Sequence, residues 1–201
     1  MSVQPEKKKK KQKEEAEKKP LWQEVLSFIG TLAAAMVLLS LVCNFLIQPV
    51  RVSGTSMTNT LLDGEITLVS KLDKDLSRND VVICNYPNRV DDHWSLGTLM
   101  LLDQHTLFVK RLVALPGDTV AITDGKLYVN GQVVPDPENM GSVPRNYPLR
   151  TLGDNEYFVI GDNRLTSHDS RAEAVGPISR DMIKGKVKWV MWPLNRIRGV
   201  E

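Results

Sequence analysis

Hydrophobic and polar positions divide the chain into three stretches of different character. Residues 7–19 read KKKKKQKEEAEKK and are almost wholly polar. From Val25 to Val50 the pattern inverts, and 26 consecutive positions carry no charge. After residue 60, short apolar or alternating runs recur between Gly, Pro, Asn and Asp. A helix through the long apolar run reaches ~39 Å at ~1.5 Å per residue, more than a ~30 Å hydrocarbon core. The run therefore predicts a membrane span. The short runs predict strands at Ile66–Val69, Val81–Cys84, Leu107–Leu115, Thr119–Ile122, Leu127–Val129, Gln132–Val134, Tyr157–Ile160 and Val187–Met191. Asp124-Gly125 and Asn130-Gly131 are turn dipeptides, so ITDGKLYVNGQVV reads as two consecutive hairpins. Asp136–Arg150 reads as a long surface loop and Val90–Leu96 as another.

Two bland readings of the apolar run compete with a span. A buried soluble helix rarely exceeds ~20 residues without a charge, and a cleaved secretory signal has an apolar region of ~7–15 residues. Ala33, Ala34 and Ala35 lie mid-run, not at its end, so an uncleaved anchor fits better. Trp22 precedes the run at interface depth, and Pro49 and Arg51 close it. The expected organisation is a basic tail over 1–20, a transmembrane helix over 21–50 and one domain over 51–201. The fold class is mostly β, an antiparallel domain preceded by one helix.

Composition adds little until it is divided. Hydrophobic residues make up 42% and charged residues 25%, which excludes a wholly disordered chain and a multi-span protein. The net charge of +2 gives no argument for nucleic acid. Residues 1–20 hold eight Lys and four Glu, a balance of +4, which leaves −2 for the rest. Lysines before the span and few basic residues just after it predict a cytoplasmic amino terminus and an extracytoplasmic domain. The two cysteines, Cys43 and Cys84, match neither a disulfide scaffold nor a zinc spacing.

Three segments are dense in chemistry. Ser53-Gly54-Thr55-Ser56-Met57 follows the span and on its own suits a turn. Phe108–Asp118 reads FVKRLVALPGD and puts Lys110 inside an apolar β run. Such a lysine ordinarily points to solvent, but one lodged among apolar groups loses its charge and becomes a general base. Gly161–Arg171 reads GDNRLTSHDSR, which also suits a hydrogen-bonded or calcium-binding loop. Only His93, His105 and His168 are available to a Ser–His–Asp triad.

Taken together these segments resemble the bacterial type I signal peptidase family, serine peptidase family S26. SGTSM with Thr60-Leu61 three residues on, FVKRLVALPGD, LYVNG at Leu127–Gly131, and GDNRLTSHDSR stand in the family's order. The resemblance covers about Trp22 to Trp192. It implies that Ser56 attacks the scissile carbonyl, that Lys110 is its general base, and that Ser167 orients the amine. It also implies that Asp169 and Arg171 form a supporting ion pair and that Asp162 and Asn163 are structural members of the loop. Val50, Val52, Met57, Leu61 and Val109 match pocket-lining positions. The implied activity is removal of signal peptides from exported preproteins after small residues, commonly Ala-x-Ala, with no metal or other cofactor. The implied setting is the cell membrane, in contact with the lipid bilayer and near the secretion translocon, with no nucleic-acid partner. Trp94 or Trp192 would dip into the interface, or else pack ordinarily. Against the family pattern, Asn59 stands where Pro is usual, Ala114 replaces a usual Gly, and Gly54 stands where some relatives carry a Ser. Arg171 to Gly176 is slightly long. Less rigidity is expected at Asn59, and the oxyanion donor beyond the Ser56 N–H is left open among Ser53 and Thr55. A β binding module without catalysis and a self-cleaving repressor of the LexA type are the rival readings.

Overall fold

The computed structural model describes residues 20–86, 107–135 and 146–200. The basic head, His93, Trp94, His105, the Val90–Leu96 segment and residues 136–145 lie outside them. Two units follow one another along the chain, divided between Leu41 and Val42. The first holds most of the helix α1 (Leu21–Phe45), whose Leu21–Cys43 portion is long and apolar enough to cross a membrane. Phe28, Val37 and Leu38 are all well exposed along it. A helix apolar on every side and bare suits a lipid solvent.

The second unit is antiparallel β structure, as the strand pattern predicts. Its elements are β1 (Ile47–Arg51), β2 (Ile66–Ser70), β3 (Val81–Cys84), β4 (Phe108–Ala114), β5 (Thr119–Thr123), β6 (Lys126–Val129), β7 (Gln132–Val133), β8 (Tyr147–Thr151), β9 (Phe158–Ile160), β10 (Ile183–Trp192) and β11 (Arg198–Gly199). Among the described residues the larger sheet runs β1-β2-β10-β3-β4-β9, with β11 paired to β10. The smaller runs β7-β6-β5-β8. Asp124 and Gly125 at φ 50° and 73°, then Asn130 and Gly131 at 53° and 75°, make the two tight turns that join β5 to β6 and β6 to β7.

Three apolar clusters hold the body together. Val113, Ala114, Phe158 and Ile160 of the larger sheet pack with Val120, Ile122, Leu127 and Val129 of the smaller one. On β4 the alternation then divides the other two. Val109 joins Met57, Leu61, Val81 and Ile83, whereas Leu112 joins Val82, Cys84 and Val159.

The pattern of residues departs from the structure at two ends. The helix stops at Phe45, not Val50, and Ile47–Arg51 pairs with Ile66–Ser70 in full register. Pro49 lacks the N–H that a helix interior requires, and β1 lies at a sheet edge where that loss is tolerated. Tyr147–Thr151 forms β8, which takes up the end of the expected Asp136–Arg150 loop. Four of its five residues are exposed, so it carries no inward alternation, and pairing with β5 alone makes it a strand.

Candidate active site

Strand β4 brings the first group. Val82 of β3 lies opposite Lys110, and continuing the β9 register by one residue puts Gly161 on its other side. Between two neighbouring strands Lys110 is only 2% exposed. Its Nζ lies 2.8 Å from Ser56 Oγ and 3.0 Å from the Val109 carbonyl oxygen. It also sits 5.8 Å from the centroid of the Phe108 ring, which stacks on Tyr86. None of the ion pairs among the described residues includes it. Burial pushes the amine below the ordinary lysine range. The nearby Cys84 and Asp169 oppose that shift, and the Arg171 charge adds to it.

The second group comes from the turns between β1 and β2. Backbone bonds from Val52 to Glu65 and from Gly64 to Val52 close the neck of this loop. Inside it Thr58 N–H donates to Thr55, and Thr60 and Leu61 N–H both donate to Met57. Met57 is buried in the apolar cluster, which fixes the residue next to Ser56 while Ser56 itself stays half-buried. Gly54 N–H is taken by Asp63 Oδ1 at 2.8 Å. Asn59 lies at φ 82°.

The loop after β9 ties both together. Asn163 N–H donates to the Ser56 carbonyl at 3.0 Å, and its side-chain amide donates to the Thr55 carbonyl at 3.1 Å. Asp162 is completely buried and receives the Arg111 guanidinium through two bonds, at 2.9 and 2.8 Å. Thr60 donates its hydroxyl to the same carboxylate. Asp169 binds the Gly161 N–H at 2.9 Å and the Arg171 fork at 2.7 and 2.8 Å. Burial works to raise the Asp169 pKa, yet Arg171, the Ser167 hydroxyl and the Gly161 N–H hold it below the usual carboxylate range. Arg171 also reaches the carbonyls of Arg164 and Ser167, so it clasps the loop.

Not every expected contact forms. Ser167 makes no hydrogen bond to Lys110, and the amine's second partner is the Val109 carbonyl. The Ser167 hydroxyl is buried without a bond of ordinary geometry, although it lies close enough to Asp169 to help hold that carboxylate low. It faces Gly161, where an added Cβ would lie 2.1 Å from Ser167 Oγ and 2.6 Å from the Ser56 carbonyl oxygen. The missing side chain is thus what lets Ser167 and the Ser56 loop close on Gly161. Val52, Met57, Leu61 and Val109 are all buried in one apolar cluster with Val50 packed against it. His168 is exposed, and it is its carbonyl, not its ring, that accepts the Tyr86 hydroxyl. Ala114 is fully buried in the core between the sheets, which accepts a methyl there.

Sequence reasoning passed over Glu65 and Arg198. Glu65 is 1% exposed and receives Arg198 through two bonds of 2.8 Å. No local motif marks a pair 133 residues apart. The one available signal is Glu65 itself, a carboxylate at the head of an apolar strand.

Comparison with known proteins places these features in a family. The profile of a family described as signal peptidase, peptidase S26, matches residues 22–192. A signal peptidase I of Bacillus amyloliquefaciens is 34% identical over 197 residues, covering 92% of this chain and 97% of the relative. Signal peptidase I T of Bacillus subtilis is 36% identical over 177 residues, covering 82% and 83%. A solved signal peptidase I from Enterococcus faecalis covers 56% of this chain and 96% of its own, at 24% identity and a TM-score of 0.41.

Proposed function

The chain belongs to the signal peptidase family, peptidase S26, and from that premise we propose a Ser56–Lys110 dyad that cleaves preproteins at the outer face of the cell membrane. As a member it is a hydrolase, a serine endopeptidase that removes signal peptides. The observation that carries the dyad is the buried Lys110 amine 2.8 Å from Ser56 Oγ, with no carboxylate among the described residues bonded to it. A serine hydroxyl needs a base within ~2.6–3.2 Å, and a neutral amine has one lone pair to offer.

The steps follow from the atoms present. With Lys110 neutral, one N–H donates to the Val109 carbonyl and the lone pair accepts the Ser56 proton. Ser56 Oγ then attacks the carbonyl carbon of the scissile bond. The oxyanion meets the Ser56 N–H, which donates to no group among the described residues. The ammonium of Lys110 returns its proton to the leaving amine, and the C–N bond breaks. A water gives its proton to Lys110, attacks the acyl ester, and releases the new carboxyl end as Ser56 regains its hydrogen. Asn163 holds the Ser56 backbone throughout, while Asp169 and Arg171 keep the loop behind Gly161 in place. Ser167 supports this loop.

The substrate lies extended beside the dyad, as an added strand, with small side chains over the floor of Val50, Val52, Met57, Leu61 and Val109. Such a floor fits the small residues of Ala-x-Ala cleavage sites. The helix α1 anchors the protein, its lysine-rich head on the cytoplasmic side and the β domain outside near the translocon. Trp192 and Met191 are half-exposed apolar residues suited to the lipid interface.

The test is cleavage of a preprotein by the full chain in detergent micelles. Ser56→Ala is expected to reduce the rate to background. The wild-type rate is expected to fall as pH drops and Lys110 takes up a proton. A Ser56→Ala enzyme that cleaves like wild type, or a rate flat into strongly acid pH, overturns the dyad.

A further inference from the structure

We propose that Arg198 is a positioning residue for cleavage: docked on Glu65 and Thr60, its guanidinium holds the loop that presents Ser56 to Lys110. The proposal rests on the dyad reading above. Arg198 lies on the short strand β11, which pairs with β10 through Val190↔Arg198 and Trp189↔Gly199. From there its side chain crosses to the loop between β1 and β2. One terminal nitrogen donates to Glu65 Oε1 at 2.8 Å. The other donates to Glu65 Oε2 at 2.8 Å and to the Thr60 carbonyl at 2.7 Å. Glu65 Oε2 also accepts the Leu62 N–H at 3.0 Å, so one carboxylate joins the tip of the loop to its base.

Thr60 is where this matters for chemistry. Its carbonyl is held by Arg198 and its hydroxyl by Asp162. Its N–H donates to Met57, the residue after Ser56. Thr60 is therefore gripped from two sides by two ion pairs, Arg111–Asp162 and Arg198–Glu65. The backbone bonds at Val52, Gly64 and Glu65 close only the neck of the loop. Asn59, at φ 82°, supplies none of the stiffness of a proline ring at the tip. Bonds within the loop tie Thr58 to Thr55 and Thr60 to Met57, Asn163 holds Thr55 and Ser56 from outside, and Arg198 adds a further outside tether at Thr60.

The fork geometry is specific to arginine. Four acceptors, the two Glu65 oxygens and the carbonyls of Thr60 and Arg196, suit a planar guanidinium, whereas an ammonium is a point charge on a flexible stem. Arg198 is partly exposed, whereas the Glu65 carboxylate it binds is almost wholly buried. Burial acts to raise its pKa, and Arg198 with the Leu62 N–H and Arg196 more than offset this.

The experiment measures preprotein cleavage by the full chain in micelles for wild type, Arg198→Ala, Arg198→Lys and Ser56→Ala. Rates are taken per folded molecule, below the onset of thermal unfolding. Misplacement of a reacting group by about 1 Å costs up to ~100-fold, so Arg198→Ala is expected to lower kcat by roughly 10- to 100-fold while KM stays within about twofold. The acid limb of the kcat profile is expected to move to higher pH, because a loosened loop lets water reach the Lys110 amine. Arg198→Lys is expected to recover little of either. A per-molecule kcat and acid limb equal to wild type in Arg198→Ala overturns the proposal, even if the melting temperature falls. Where Arg198→Ala yields too little folded protein, Arg198→Lys decides alone. A folded Lys variant with wild-type kcat and acid limb overturns the proposal, and a lowered kcat at unchanged KM supports it. Ser56→Ala separates the two readings. If it stays active, the dyad is wrong whatever Arg198 does. If it is dead while Arg198→Ala matches wild type, only the positioning role is lost.

Discussion

Lys110 and Arg111 are neighbours on β4, both cationic by type and both buried, and the fold treats them in opposite ways. Arg111 points to the face where Asp162 waits, and joins it in a two-bond ion pair braced by the Asn79 carbonyl. Lys110 points to the other face, where its partners are a hydroxyl and a carbonyl. Burial without a bonded carboxylate lowers the lysine pKa, and that is the condition for a base. The carboxylate nearest in effect, Asp169, is already spent on Arg171 and the Gly161 N–H. One strand thus carries an ion-paired arginine and, on the reading proposed above, a basic lysine, and what separates them is which face receives a carboxylate.

The largest effects come from deleting each cation in turn. Lys110→Met keeps most of the volume and removes the amine. Cleavage is expected to fall by roughly a thousandfold or more, as when a nucleophile loses its base. The melting temperature is expected to hold or rise, since an unfavourably buried polar group is gone. Arg111→Met leaves Asp162 buried with no cation, which costs about 3–5 kcal/mol of stability. Chemical denaturation of both variants, beside their cleavage rates, checks the pair. The contrast between the two faces collapses if Lys110→Met is destabilised as much as Arg111→Met.

A smaller effect sharpens the same contrast through pH. The folded pKa of Lys110 lies below its unfolded value, near ~10.4, so between the two values the unfolded chain binds more protons. Stability contributed at this site therefore rises with pH across that window. Below the lowered folded value both states are protonated and the full penalty applies. Above the ordinary lysine value both are neutral and the penalty is absent. The difference in unfolding free energy between wild type and Lys110→Met, followed against pH, is expected to show this rising slope. A difference that stays flat means Lys110 is not shifted, and the chemical face of β4 is then like any solvated one.

How much of this could be read in the residues depends on where each signal lies. Strand β3 was legible to the residue because Val81–Cys84 is apolar between polar neighbours, and the two hairpins because Asp-Gly and Asn-Gly favour positive φ at both turn positions. Strand β8 was not, since an exposed edge strand carries no inward alternation. Strand β1 was hidden because its apolar residues continue the apolar run of the helix without a charge. In the candidate site, Ser56, Lys110, Asp162, Asp169 and Arg171 lie in dense local motifs. Glu65 and Arg198 do not, for their meeting is made by the β10–β11 pairing and leaves no spacing to read. The Val109 carbonyl was invisible for a different reason: a backbone atom has no letter of its own.

The smallest predicted effect concerns Asn59, which lies between the two faces' attachments to the loop. Ser56, three residues before it, serves the Lys110 face, and Thr60, one residue after it, serves the Arg111 face through Asp162. The family's usual proline suggests that Asn59→Pro would stiffen this link. The backbone argues the reverse. Proline holds φ near ~−65°, whereas Asn59 is at 82°, so the ring cannot enter without refolding the loop. Asn59→Pro is expected to cost more than about 1 kcal/mol and to lower cleavage, since substitutions incompatible with the native φ destabilise by at least that much. Asn59→Gly, which reaches positive φ freely, is expected to stay within about 1 kcal/mol of wild type, its easier turn set against a more flexible unfolded chain. Thermal melts of the two variants check this. A proline variant as stable and active as wild type would mean that the loop can take a second form, and that the two faces of β4 do not depend on a single conformation between Ser56 and Thr60.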